Sequence, residues 1–293
     1  MKILITGNMG YVGSELVKVL RRGIPGVYLA GFDSGFFAHC LTGEGRLPET
    51  HLDCQHFGDT RAIPDGLLKG MDAIIHLAAI SNDPIGNKFE KVTEDINFKA
   101  STALAQRAQE QGVGRFVFAG TSWQHYDNEP YNPVNLYAAT KQACEDILSY
   151  YVNAGGIIAS TLVLFDTYGP GDSRGKLIPL LWKTALSQET LSMSPGEQLI
   201  DLVHIDDVVR AYASAACTLE KSLAGHIRYA ISSGAPLRLI DLVALFERVT
   251  RISLPIDFGG RPYRPREVMH PWSNYQQVPN WQAMVPLATG ILQ

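Results

Sequence analysis

Cysteine is scarce and unpatterned in this chain. Among 293 residues there are four, Cys40, Cys54, Cys144 and Cys217, and no two form a C-x-x-C pair. With no disulfide framework to build, they read as reduced thiols in a cytoplasmic protein. Charge is modest too, at 18% of residues with a net of −4. That balance gives no reason to expect nucleic acid or a membrane surface as partner. No apolar run approaches the roughly 20 residues a membrane helix needs, and the opening apolar run is too short for a secretory leader. His39, Cys40, His51, Cys54 and His56 crowd one stretch, but their spacing matches no recurrent zinc pattern, so no metal is expected. Residues 36–57 read instead as a loop between strands. What the chain does have is 46% apolar residues, ample for a core in one large α/β unit or in two lobes.

The informative stretch is Met1 to Leu20. Ile3, Leu4 and Ile5 form an apolar run, Gly7-x-x-Gly10-x-x-Gly13 follows, and Val12, Leu16, Val19 and Leu20 then recur at helical spacing. Strand, tight glycine turn and helix in that order suit a dinucleotide, because a pyrophosphate must approach the backbone and meet the N–H groups of a helix start. A second strand ends in Asp33, 20 positions beyond Gly13, where a carboxylate can accept hydrogen bonds from the adenosine ribose and repel a 2′-phosphate. That favours NAD over NADP. Asp59, after Gly58, is within reach of an adenine amino group. Strands at Met71–Ala79 and Gly114–Gly120, with a helix over Asn97–Gln111 between them, imply an α/β fold with a Rossmann-type, doubly wound parallel sheet. Tyr137 and Lys141 lie four apart at the head of a helix running to about Tyr151, on one helix face. An ammonium beside a phenol lowers the phenol's pKa, so the pair can give or take a proton at a carbonyl or hydroxyl.

Taken together these residues resemble the extended short-chain dehydrogenases/reductases of the nucleotide-sugar epimerase, dehydratase and reductase branch. The matching segments are Thr6-Gly7-x-x-Gly10-x-x-Gly13, Asp33, Gly58-Asp59, His76-Leu77-Ala78-Ala79, Asn97, Thr121, Tyr137-x-x-x-Lys141, Tyr168-Gly169-Pro170-Gly171 and Val203–Val208, spread over almost the whole chain in the family's order. The resemblance implies that residues 1–171 form the NAD(P)-binding core. Strand segments near 200–206 and 226–232 would return to it, and residues 172–293 would supply mainly a smaller nucleotide-sugar lobe. It implies Tyr137 as acid/base, Lys141 as its partner and a hold on the nicotinamide ribose, and Thr121 as a donor to the reacting oxygen. Gly7, Gly10, Tyr11, Val12, Gly13, Leu77, Ala78, Ala79 and Asn97 would complete the cofactor site with Asp33 and Asp59. Ser81, Ser122, Trp123, Lys176 and Arg264 would face the substrate, the last two against its diphosphate. Asp206-Asp207 suits a helix cap instead. A homodimer through the Tyr-Lys helix and the one before it is implied as well.

Four departures refine the expectation. Ser122-Trp123 follows Thr121 where sugar 4,6-dehydratases carry an Asp-Glu pair. Only 16 positions separate Thr121 from Tyr137, a short loop similar to that of the 4-ketoreductases that make CDP-abequose and CDP-paratose. Asp166 stands where relatives often have asparagine, and Ile200 where an arginine is frequent. The expected activity is therefore NAD(P)-dependent reduction of a nucleotide-linked 4-keto-6-deoxyhexose. A 4-epimerase using the same triad is the nearest alternative, and a non-catalytic NAD(P)-binding sensor a remote one.

Overall fold

The run Ile3-Leu4-Ile5 is buried on both sides, and its two-residue period divides it between two cores. Ile3 and Ile5 pack with Leu16, Val17 and Leu20, whereas Leu4 packs with Leu104, Ala108, Cys144 and Leu148. A strand covered on both faces is what a parallel sheet between helical layers requires. The computed structural model, which describes residues 1–38, 41, 51–81, 90–218 and 225–293, is built that way.

Strand β1 (Lys2–Thr6) leads through the glycine turn to helix α1 (Tyr11–Gly23), then to β2 (Tyr28–Asp33) and β3 (Cys54–Phe57). The chain crosses back to β4 (Ala73–His76), followed by α2 (Glu90–Thr93), a π-helical stretch (Glu94–Ala100) and α3 (Ser101–Glu110). Next come β5 (Arg115–Thr121), α4 (Leu136–Gly155), β6 (Ile158–Leu164) and β7 (Asp166–Tyr168). The remainder holds α5 (Leu177–Ser187), β8 (Leu191–Met193), β9 (Leu199–Ile200), β10 (Leu202–His204), α6 (Ile205–Thr218), β11 (His226–Ile231), β12 (Leu237–Arg238), α7 (Leu239–Thr250), β13 (Ile256–Phe258) and α8 (Leu287–Gly290).

Seven strands form one sheet in the order β11-β6-β5-β4-β1-β2-β3, and all neighbours are parallel. The order reverses between β1 and β4, which opens a crevice beyond their carboxyl ends, the usual ligand position in such sheets. Helices α1 and α6 cover one face and α3 and α4 the other, while α5, α7 and the short strand pairs gather around a third apolar cluster. The segment near 226–232 lies in the main sheet as β11, its edge strand. The segment near 200–206 stays out of the main sheet: β10 pairs parallel with β7 in a separate pair, and Val203 of β10 and Ile205 of α6 pack into the core.

Three local expectations change. Residues 54–57, expected as loop, form strand β3, paired parallel to β2 from Ala30↔Cys54 to Asp33↔Phe57. As an edge strand it is only partly covered, so it needs no run of large apolar residues. The helix expected from Asn97 begins earlier and is π-helical through Ala100. Asp207 lies in the first turn of α6, fully buried, and its Oδ2 accepts the backbone N–H of Met284 and of Val285 at 3.0 Å each. It therefore anchors the C-terminal segment as well as heading a helix.

Among the described residues no helix is long and apolar enough to cross a membrane. No group of three or more His, Cys, Asp or Glu among them could hold a metal ion. His39 and Cys40 fall outside the described residues, while Cys54, Cys144 and Cys217 are free thiols.

Candidate active site

The crevice is floored by the glycine turn. Gly7 adopts φ +76°, and a Cβ there would lie 2.6 Å from the backbone nitrogen of Ala78. At Gly13 it would lie 2.2 Å from the Gly7 carbonyl oxygen. Only glycine allows β1, the start of α1 and the end of β4 to meet this closely. Gly10 is the N-cap of α1, with no side chain capping the helix and no acid in its first turn. The first N–H groups and the positive end of the helix dipole thus stay available to an anion. Asp33, at the end of β2, accepts the Met9 N–H at 3.0 Å and the Gly35 N–H at 2.7 Å, so its carboxylate is fixed beside the turn.

This donor set fits a dinucleotide. An uncapped helix start and side-chain-free backbone suit a pyrophosphate, and a fixed carboxylate one strand away suits a ribose diol.

From this floor the cleft rises past Val12, Leu77, Ala79 and Ser81 to Thr121, Ser122, Trp123, Tyr137, Lys141 and Lys176, all in its lining. Nine of the residues expected at the site fall outside that lining. Gly7, Gly10, Tyr11, Gly13, Ala78 and Asp33 surround the turn. Asn97 is fully buried and clamps Ile80, donating to its carbonyl at 2.8 Å and accepting its N–H at 2.7 Å. It shapes the chain leaving β4. Asp59 is held by Arg61 through contacts of 2.9 and 2.5 Å, which keep its carboxyl below the usual range. Arg264 is exposed, with its backbone N–H on Glu267, yet its charge is felt at Asp166.

Thr121 ends β5 and caps a short helical turn. Its Oγ1 accepts the Trp123 N–H at 3.3 Å, which leaves the hydroxyl proton for another acceptor. Its own N–H donates to Gln124 Oε1 at 2.8 Å. Asn135 caps α4 by accepting the Ala138 N–H, which places Tyr137 and Lys141 on the first turns of that helix. The Lys141 ammonium lies 4.6 Å over the Phe118 ring and 5.8 Å from the centre of the Tyr137 ring. Burial pushes Lys141 down to about 8 and Tyr137 up to about 12. The expected lowering of the tyrosine is therefore reversed: enclosure of the phenol outweighs the lysine.

Two cleft residues escaped the sequence reading or entered it only as a departure. Arg174 lies 4.3 Å over the Tyr11 ring and is held by Asp172 at 2.7 and 2.8 Å. Its neighbourhood of Gly169-Pro170-Gly171 was the available signal. Asp166 lines the same wall, exposed to the cleft and within reach of the positive charges of Lys176, Arg174 and Arg264. Conversely, His125, Asp127 and Glu129, the titratable residues of the loop after Trp123, do not line the cleft. His125 stacks on Trp272 at 3.8 Å and its Nδ1 bonds the Glu129 and Pro130 carbonyls.

A family model described as the NAD dependent epimerase/dehydratase family matches residues 3–231. The CDP-abequose synthase of Yersinia pseudotuberculosis is 27% identical over 280 residues, covering 95% of this chain and 94% of the relative. The UDP-glucose 4-epimerase of Corynebacterium glutamicum is 27% identical over 292 residues, covering 89% and 84%. Among solved structures, the dTDP-glucose 4,6-dehydratase DesIV of Streptomyces venezuelae, solved with NAD bound, aligns with a TM-score of 0.80 at 25% identity over 99% of this chain and 94% of that one.

Proposed function

Because the chain belongs to the NAD-dependent epimerase/dehydratase family, we propose that it reduces a nucleotide-linked 4-keto-6-deoxyhexose at C4. The observation that carries this proposal is the cleft wall beside Tyr137. Ser122 and Trp123 stand there, and Asp166 is the one carboxylate in the described lining. Dehydration needs one group to take the C5 proton and another to protonate the departing hydroxyl, and paired carboxyls suit this. Ser122 is a poor base and an indole N–H only donates. The flat Trp123 ring suits the C6 methyl of a sugar already deoxygenated.

Gly7, Gly10, Tyr11, Val12, Gly13, Leu77, Ala78 and Ala79 would hold the cofactor along the turn and the end of β4, with Asp33 at its ribose. When bound, the cofactor supplies the hydride for C4. Tyr137 gives its phenolic proton to the C4 oxygen, and Thr121 donates a hydrogen bond to the same oxygen. Lys141 provides positive charge beside the phenol as it loses its proton. Lys176 and Arg174, in the wall, and Arg264, whose charge is felt at Asp166, suit the two phosphates of the substrate. Ser81 lies at the cleft's edge, in reach of the sugar.

A 4-epimerase would use the same residues, and one such relative is as similar in sequence as the synthase. It would return its hydride to the sugar and consume no NADH, whereas a reductase consumes one for each sugar. The test is a panel of 4-keto nucleotide sugars offered with NADH or NADPH. Oxidation of the cofactor with at least one member supports the reduction, and none with any member would sink it.

A further inference from the structure

Tyr137, Lys141 and Glu145 recur every fourth residue along α4, so they form one stripe on the helix. Glu145 is fully buried. Its Oε1 accepts the Gln124 Nε2 proton at 2.8 Å, and its Oε2 accepts from Arg228 Nε, which reaches in from β11. Gln124, also fully buried, uses its Oε1 to hold the Thr121 N–H at 2.8 Å. Gly120 gives this chain of bonds its room: a Cβ there would lie 3.1 Å from Gln124 Oε1 and 3.2 Å from Glu145 Oε1.

We propose that Glu145 is a positioning residue for the reaction, keeping Lys141 in its ammonium form and, through Gln124, fixing the turn that carries Thr121. The proposal rests on the reductase reading for its consequence but not for its chemistry. The titratable groups that act on Lys141 or lie beside it are Tyr137, Cys144 and Glu145 on α4 and His76 on β4. Burial holds Tyr137 and Cys144 up at about 12 and His76 down at about 3. Glu145 is the one of these groups paired with a cation, its Oε2 accepting from Arg228 Nε, and that ion pair holds it as the anion of the stripe. Burial raises Glu145 while the Arg228 guanidinium lowers it, and Asp146 adds a smaller opposing charge. Arg228 thus sets how much of the Glu145 charge Lys141 experiences. In a poorly solvated site each such charge moves a neighbour's titration substantially.

The test is the double variant Glu145→Gln/Arg228→Gln, in which both charges go and neither is left buried alone. Lysines labelled at Cε are titrated by carbon NMR, with Lys141→Met identifying the resonance. The double variant should unfold in one cooperative transition, with its Lys141 midpoint lower than the wild type's by about one pH unit or more. The basic limb of kcat should move with it while KM for the nucleotide sugar holds. If the double variant fails to fold, Glu145→Gln alone decides the matter: it keeps the acceptor for Gln124, leaves behind only Arg228, which is 40% exposed, and should lower the midpoint. A Lys141 midpoint that stays put in the folded variant overturns the proposal. Because the resonance needs no substrate, failure of the reductase reading would be seen separately, as an absent turnover with an intact titration.

Discussion

At Tyr137 enclosure matters more than the lysine beside it. The i, i+4 spacing with Lys141 is legible in the sequence because it is local, but the burial that keeps the phenol protonated depends on the whole cleft. Tyr137→Phe removes the proton donor and keeps the ring, so turnover should fall by about a hundredfold or more while cofactor affinity survives. A variant with near-normal turnover would remove Tyr137 from the mechanism. Asp33 is equally local, placed by its distance from the glycines. Its carboxylate also holds Met9 and Gly35, which only the fold reveals. Asp33→Ala should weaken NAD relative to NADP by about tenfold or more, as loss of a charged hydrogen-bond acceptor does. Fluorescence titration of both cofactors reads this, and an unchanged ratio would turn Asp33 away from the ribose. Glu145 was illegible by contrast, because its partner Arg228 lies 83 positions away.

Between β5 and α4 the short connection folds on itself. Val134 donates to the Trp123 carbonyl at 2.8 Å and Asn132 to the Gln124 carbonyl at 3.0 Å. Asp127 and Asn128 take positive φ, a conformation these side chains tolerate better than most. A C-terminal stretch straps the loop from outside. Arg266 bonds Asn132 at 2.5 Å and lies over the Tyr126 ring, Trp272 stacks on His125, and the Ser273 N–H donates to Asn128. Sequence reading could see that the loop was short and had Ser122-Trp123 in place of an Asp-Glu pair after Thr121, but not that His125 would be turned under the strap and Asp166 brought into the cleft. Strand β3 was hidden for a similar reason, since pairing with β2 defines it more than its own pattern does. With His125 withdrawn, a nucleotide-linked 6-hydroxyhexose incubated with NAD should keep its mass. Loss of one water, seen by mass spectrometry, would contradict this and make Asp166→Asn the next variant to examine.

Across the whole molecule, the parallel sheet between two helical layers follows from buried strands at Ile3–Ile5, Ile74-Ile75 and Phe116–Phe118. These runs were readable because burial on both faces demands unbroken apolar sequence. The packing also buries histidines in neutral form. His76 sits between Thr6 and Ser101, and burial holds it down at about 3. His226, between Ser149 and Thr161, is held at about 4. Unfolded, both would take up protons below about 6.5, while the folded chain resists doing so. The unfolded state therefore binds more protons, and stability should fall as pH drops from about 6.5 toward 4. Thermal melts across that range should show a declining midpoint, and a flat profile would mean these histidines are not held neutral. The central claim concerns where the hydride goes. NADH carrying deuterium at its transferable position, supplied with a 4-keto-6-deoxy nucleotide sugar that the enzyme accepts, tests it most directly. One deuterium should appear at C4 for each NADH consumed. A 4-keto sugar that consumes no NADH, with the matching 4-hydroxy nucleotide sugar interconverted between its C4 epimers in the presence of NAD, would contradict reduction and establish an epimerase.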